Sequence, residues 1–203
     1  MRSRRARLPW GRLGKMELGN LRRLHCMHML CGCRKNHAGE EFTMRSEEEV
    51  NRAIERHADT VRRLCMIHLK NYADAEDIFQ TVFLKYVLSS ISFESEEHEK
   101  AWMIRVTVNA CKDLLKSFYR SRTVSLDDLV DWPAEAPADH REVLEAVLSL
   151  PRKHRVVVYL HYYEGYTALE IGRILGKNVN TVYTLLTRSR QMLKKELEGF
   201  DDE

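Results

Sequence analysis

The chain has 203 residues, 44% hydrophobic and 31% charged, enough for one large or two small domains and too apolar for wholesale disorder. Its formal charge of +3 hides a split: residues 1–43 carry ten Lys/Arg against three acidic residues, leaving the body at 23 against 27, net acidic. Whole-chain charge therefore makes no case for nucleic-acid binding, an odd count of five cysteines does not suggest a secreted disulfide scaffold, and no run approaches the roughly 18 apolar residues of a membrane span.

Residues 1–43 show neither helical nor strand periodicity. Cys26, Cys31, Cys33 and His37, with His25 and His28 nearby, are weak metal-ligand candidates, because thiolate and imidazole suit zinc but the paired CxxC or HxxxH spacing is missing. The favoured reading is a basic, disordered extension with a start of translation at Met44. Ser3-Arg4-Arg5 lacks the apolar segment of a twin-arginine signal, so the expected location is the cytoplasm.

Beyond that extension the consecutive glycines Gly39 and Gly165 bracket a stretch with only Pro133, Pro137 and Pro151, too little punctuation for strands and hairpins, so the expected class is all-α. From Ser46 to Lys70, Val50, Ile54, Val61, Leu64, Cys65 and Ile67 recur at helical spacing, with Glu47, Glu48 and Glu49 favouring the first turn. Cys65 and His68 read as a buried thiol and a satisfied buried histidine. After a break at residues 71–74, Asp74 is expected to cap DAEDIFQTVFLKYV, with Ile78, Val82 and Phe83 inward and Asp74, Asp77 and Gln80 on a polar edge beside exposed aromatics. That edge suits a protein partner better than a catalytic pair.

Residues 89–99 read as an acidic loop in which Phe93 is the only apolar bulk. KAWMIRVTVNACKDLLKSFYRSR then spaces Trp102, Ile104, Val108, Cys111, Leu115 and Phe118 to bury one side. Its other side is basic: residues 100–122 hold six Lys/Arg against Asp113 alone, with Tyr119 nearby, the combination that neutralises and stacks single-stranded nucleic acid. Residues 123–142, with two prolines and six acidic residues against Arg141, form an acidic flexible linker that divides the chain into a helical domain at 44–122 and a second at 143–203. In the second, one helix ends near Leu150-Pro151 and another spans residues 152–164, where Val156, Val157 and Val158 need tertiary packing to overcome weak helix propensity.

GYTALEIGRILGKNVNTVYTLLTRSR, residues 165–190, reads as a helix-turn-helix. Thr167 and Glu170 form a capping box, Ile171, Ile174 and Leu175 make one face, Gly176 ends the first helix, and Asn178 caps a second. That second helix buries Val182, Leu185, Leu186 and Ser189 and presents Tyr183, Thr184, Thr187 and Arg188 outward. Such a pair suits insertion of its second helix into a DNA major groove. No nucleophile-base pair, phosphate-cradling glycine loop or ordered metal set is visible, so neither catalytic residues nor cofactors are expected.

The order of these pieces over residues 46–197 resembles the extracytoplasmic-function group of the bacterial sigma-70 family. The resemblance implies a non-enzymatic RNA polymerase sigma factor in two helical domains that binds core polymerase, promoter duplex and melted strand, with an anti-sigma protein as a further partner. It implies polymerase docking by Asp74, Asp77, Gln80 and Phe83. Minus-ten contacts fall to Trp102, Asn109, Lys112, Lys116 and Arg120, with residues 92–98 pocketing a flipped base. Minus-thirty-five contacts fall to Asn178, Asn180, Thr181, Tyr183, Thr184, Thr187, Arg188 and Arg190. It also sets the linker near the RNA exit path, where Asp127, Asp128, Asp131 and Glu135 would mimic nucleic-acid charge. Members of the family often have basic residues where Tyr183 and Leu185 stand, and Ala at Gly172, so upstream recognition is expected to depart from the usual one at Tyr183 and Leu185. Two other readings stay open: a free-standing, dimeric helix-turn-helix regulator, and a metal or redox sensor built on the N-terminal Cys/His cluster.

Overall fold

The computed structural model describes residues 44–121 and 141–198, and these form seven α-helices and a π-helical turn, with no strand among them. The helices are α1 Glu47–Leu69, α2 Tyr72–Val87, α3 Glu96–Ser121, α4 Arg141–Ser149, α5 Arg152–Val158, α6 Ala168–Leu175 and α7 Val179–Glu198. The π turn, Tyr159–Tyr163, prolongs α5. The N-terminal Cys/His cluster, most of the linker with its four acidic candidates, and the side chain of Arg120 lie outside what is described.

Local chemistry starts α1 where expected. The Ser46 hydroxyl accepts from the Glu49 N–H while the Glu49 carboxylate takes the Ser46 N–H at 3.0 Å, a closed capping box. The start of α2 differs from expectation: Asn71, not Asp74, is the cap, its side-chain oxygen accepting the Asp74 N–H at 3.0 Å. Asp74 thus sits in the first turn, where the helix dipole favours a carboxylate just as well, and composition alone does not separate the two positions. Helix α3 also begins earlier than expected. Ser95 accepts the His98 N–H at 3.2 Å, and Glu96, Glu97 and Glu99 fill a first turn that favours negative charge, so the loop shrinks to residues 88–95.

One core gathers the inner faces of α1, α2 and α3 around Val61, Phe79, Val82, Tyr86, Met103 and Cys111. Phe83 belongs to it, 7% exposed with its ring 4.8 Å from that of Phe79, so the aromatics of α2 are inside rather than beside the polar edge; Tyr72 is the exposed one. The Cys65 thiol is pushed well above its ordinary pKa by Cys111 and by burial, which makes it an inert core group.

A second core is built by α5, the π turn, α6 and α7, and it is closed by Leu64 and Ile67 of α1 and Ile104 and Val108 of α3. This burial explains why a β-branched run is helical in α3 and again in α5: Ile104, Val108, Val156, Val157 and Val158 are all buried, and the apolar area they remove from water outweighs a propensity deficit of about 0.7 kcal/mol or less per residue.

The two short helices of the hairpin are held by their own signals. Thr167 and Glu170 close a capping box at 2.8 Å, Gly176 ends α6 at φ +63°, and Asn178 accepts the Asn180 N–H at 2.8 Å to start α7. Val182, Leu185, Leu186 and Ser189 are buried as expected. Gly172 faces the turn so closely that an added Cβ would lie 2.9 Å from the Lys177 carbonyl oxygen, whose residue's N–H binds the Gly172 carbonyl at 2.8 Å. This chain therefore needs glycine where its resembled family often has alanine. The gain in helix propensity is about 1 kcal/mol, whereas overpacking against backbone costs about 1–3 kcal/mol. Gly172→Ala should accordingly lower stability in urea unfolding by about 1 kcal/mol, and an increase would contradict this account of the turn.

Candidate nucleic-acid and polymerase interfaces

The outward face of α7 carries Asn180, Thr181, Tyr183, Thr184, Thr187, Arg188 and Arg190, all exposed, with Asn178 just before them at the cap. Tyr183 is 57% exposed and projects without a core role. Leu185 is 7% exposed in the second core and cannot reach a base edge, which corrects the expectation that it helps set upstream specificity. Its position at the i+3 spacing from Val182 already put it on the apolar side. Arg190 is held back from free rotation: its Nε donates to the Tyr162 hydroxyl at 2.6 Å. Behind this face Ser189 donates to the Leu185 carbonyl at 2.6 Å and lies 2.9 Å from His154 Nδ1, a buried polar link that fixes α7 on α5.

On α3, Asn109 and Lys116 are exposed and Lys112 is half-buried, so these three share an accessible side. Lys116 Nζ also pairs with Asp113 at 3.1 Å in the open. Trp102 is set apart, half-buried among aromatic rings. Its ring centroid lies 5.6 Å from that of Phe93 and 6.0 Å from that of Tyr86, and Arg45 stacks over Tyr86 at 4.5 Å and Phe93 at 4.9 Å. Phe93 thus anchors the loop before α3. Of the residues expected to pocket a base, 92–95 are in that loop and 96–98 are already helical.

Beneath the loop, Glu99 is 8% exposed. Burial pushes its carboxyl up, but the Tyr86 hydroxyl and His57 imidazole, the latter at 2.9 Å, pull harder and leave it below the ordinary range. Burial, and then the same contact with Glu99, push Tyr86 up to about 12. On α2, Asp77 and Gln80 are exposed and Asp74 half-buried; burial and then Asp77 raise the Asp74 pKa. These three form a polar edge, and Phe83 is not part of it.

The α3 surface is not isolated from the hairpin. Lys100 Nζ binds the buried Glu164 carboxylate at 2.6 Å, and Glu164 also accepts from the Tyr159 hydroxyl at 2.6 Å. Arg105 donates to the Ile174 carbonyl at 2.9 Å and to that of Arg173, satisfying the open end of α6 from a different part of the chain. Sequence periodicity carries no signal for such a cap, since the partners are 68 and 69 positions apart.

His68 is 5% exposed where α1 meets α5, and its Nδ1 has no hydrogen-bond partner. It is buried as expected, with that one ring nitrogen left without a partner. Its pKa is lowered to about 4, by burial first and then by Arg155, Lys112 and Arg152.

The described residues are thus all-helical apart from turns and loops, with one basic helix and one helix-turn-helix. A family model described as Sigma-70 region 2 matches residues 53–130, and one described as Sigma-70, region 4 matches residues 140–193. The RNA polymerase sigma factor SigV of Bacillus subtilis is 28% identical over 148 residues, 71% of this chain and 89% of that protein. The ECF RNA polymerase sigma factor SigE of Mycolicibacterium smegmatis is 31% identical over 175 residues, 81% of this chain and 66% of that protein. In fold, the chain is similar to the sigma factor RpoE solved in complex with the anti-sigma factor NepR from Bartonella quintana. That likeness has TM-score 0.63 at 16% identity and covers 74% of this chain and 98% of the other. CnrH, solved with the cytosolic domain of CnrY, gives TM-score 0.55 at 18% identity, over 76% and 90% of the two chains. The chain belongs to the sigma-70 family of RNA polymerase sigma factors, in its extracytoplasmic-function group.

The His68 geometry sets a pH dependence. In the unfolded chain the imidazole titrates near about 6.5, and in the folded chain at about 4. Between those values only the unfolded chain holds the proton, so the stability present above the upper value is lost as pH falls towards the lower one. By pH 4.5 the loss is about 2–3 kcal/mol. Urea unfolding of wild type and His68→Gln at pH 7 and pH 4.5 should show the variant losing less by that amount; equal losses would contradict the buried, neutral imidazole.

Proposed function

We propose that this sigma factor grips a promoter at two points and reads its upstream element through the exposed face of α7. In this reading Asn178, Asn180, Thr181, Tyr183, Thr184, Thr187, Arg188 and Arg190 meet the minus-thirty-five duplex, and Asn109, Lys112, Lys116 and Arg120 hold the melted minus-ten strand, with Trp102 and the Phe93 loop supporting an extruded base. Base extrusion costs a few kcal/mol, which stacking and edge hydrogen bonds must offset. Asp74, Asp77 and Gln80 dock on core polymerase, and Phe83 contributes by shaping the helix beneath them. The domain at 44–122 and the domain at 143–203 divide these tasks across the acidic linker 123–142.

The observation that supports this most is the order of the two family matches: region 2 falls on the half with the basic helix and region 4 on the half with the helix-turn-helix. No helix among the described residues is long and apolar enough to cross a membrane, and the proposed setting is the cytoplasm, with no catalytic activity of the chain's own. An anti-sigma protein is the proposed regulator, since RpoE was solved with the anti-sigma factor NepR and CnrH with the cytosolic domain of CnrY.

Transcription in vitro with core enzyme on a fragment library tests the reading. The chain should create new start sites with core enzyme and bind the same fragments weakly without it; tight binding alone would favour a free-standing regulator. Tyr183→Arg should shift the preferred upstream sequence while leaving melting unchanged. Leu185→Arg should instead unfold the hairpin half, because it buries an unpaired charge. An unchanged upstream preference in Tyr183→Arg would remove that residue from the reader.

A further inference from the structure

Where α3 meets α5 and the turn after α6, a cavity of about 300 Å³ opens to solvent. Lys112 and Lys116 reach it from α3, Arg152 and Lys153 from α5, and Lys177 from the turn. No acidic residue lines it. The remaining wall is apolar, formed by Val108, Leu115, Val156 and Leu175, and at its edge stands His68. That histidine is 95% buried, with its Nδ1 covered from solvent, so it adds bulk to the wall.

Grouped cations repel, and here the repulsion is visible: the Lys112 pKa is lowered by burial and then by Lys177 and Lys116. The fold holds this arrangement through contacts elsewhere, namely the Lys100–Glu164 pair and the Arg105 cap on α6. A polyanion relieves the repulsion. Duplex DNA is too wide for the space, whereas a single nucleotide is within the size range of pocket-bound small molecules. Four lysines and an arginine suit phosphate, with lysines acting as point charges and arginine as a fork. The apolar wall suits a flat ring.

We propose that this cavity binds a nucleoside polyphosphate, its phosphates among the five cations and its base against the apolar wall. The site goes beyond promoter recognition. Because it is lined from both halves, its occupant favours their docked arrangement, and because it uses Lys112 and Lys116 it competes with the melted strand.

Calorimetric titration of the full chain with ATP, tripolyphosphate and adenosine tests this without polymerase, so its failure would leave the sigma-factor reading untouched. ATP should bind one to one. Adenosine should not bind measurably, and tripolyphosphate should bind several-fold more weakly than ATP. Lys153→Ala and Lys177→Ala, both exposed positions outside the DNA-reading set, should each weaken ATP by about tenfold. Lys194→Ala and Lys195→Ala, on the distal turns of α7, should leave it unchanged. Absence of one-to-one binding, equal loss in the distal variants, or tripolyphosphate binding as tightly as ATP would each overturn the site.

Discussion

Helix α3 has two apolar sides, and the molecule is organised by the need to cover both. Met103 and Cys111 belong to the core shared with α1 and α2, while Ile104 and Val108 join Leu64 and Ile67 of α1 in the second core, which the helix-turn-helix half completes. Around that apolar contact stand interactions formed only once the halves meet: Lys100 with Glu164, and Arg105 with the open carbonyls of α6. An isolated pair of domains would leave both apolar surfaces and a helix terminus exposed to water. The basic helix proposed to hold melted DNA is therefore also the seat of the upstream reader.

Charge follows the same geometry. Residues 44–203 are net acidic, yet the crevice between the halves is lined by five cations and no carboxylate. Electrostatic attraction for phosphate is thus a property of where the halves meet, and net charge gives no hint of it. The neutral His68 belongs to this picture: a proton on it would add a further positive charge among Arg155, Lys112 and Arg152, in a place where water cannot screen it.

What was readable in the sequence was what short-range chemistry decides. The Thr167–Glu170 box, the stop at Gly176 and the buried set Val182, Leu185, Leu186 and Ser189 all follow from spacings of three or four residues. Asn71 and Asp74 both offer a capping oxygen within one turn, and only the backbone conformation makes Asn71 the cap. Helical spacing turns Phe83 inward, where its i−4 contact with Phe79 keeps it in the core, whereas the resemblance counts it with the docking residues. The α6 cap by Arg105, the cavity and the orphaned His68 nitrogen depend on contacts between distant parts of the chain, for which one sequence holds no periodic signal.

Helix α3 holds the two halves together in the free chain. Spin labels introduced as unnatural amino acids at the exposed positions Glu55 and Gln191 would report their separation by pulsed electron resonance. One narrow distance distribution is expected for the wild-type chain, and a broad one once Ile104→Asp puts a charge into the shared core. A broad distribution already present in the wild-type chain would contradict the claim.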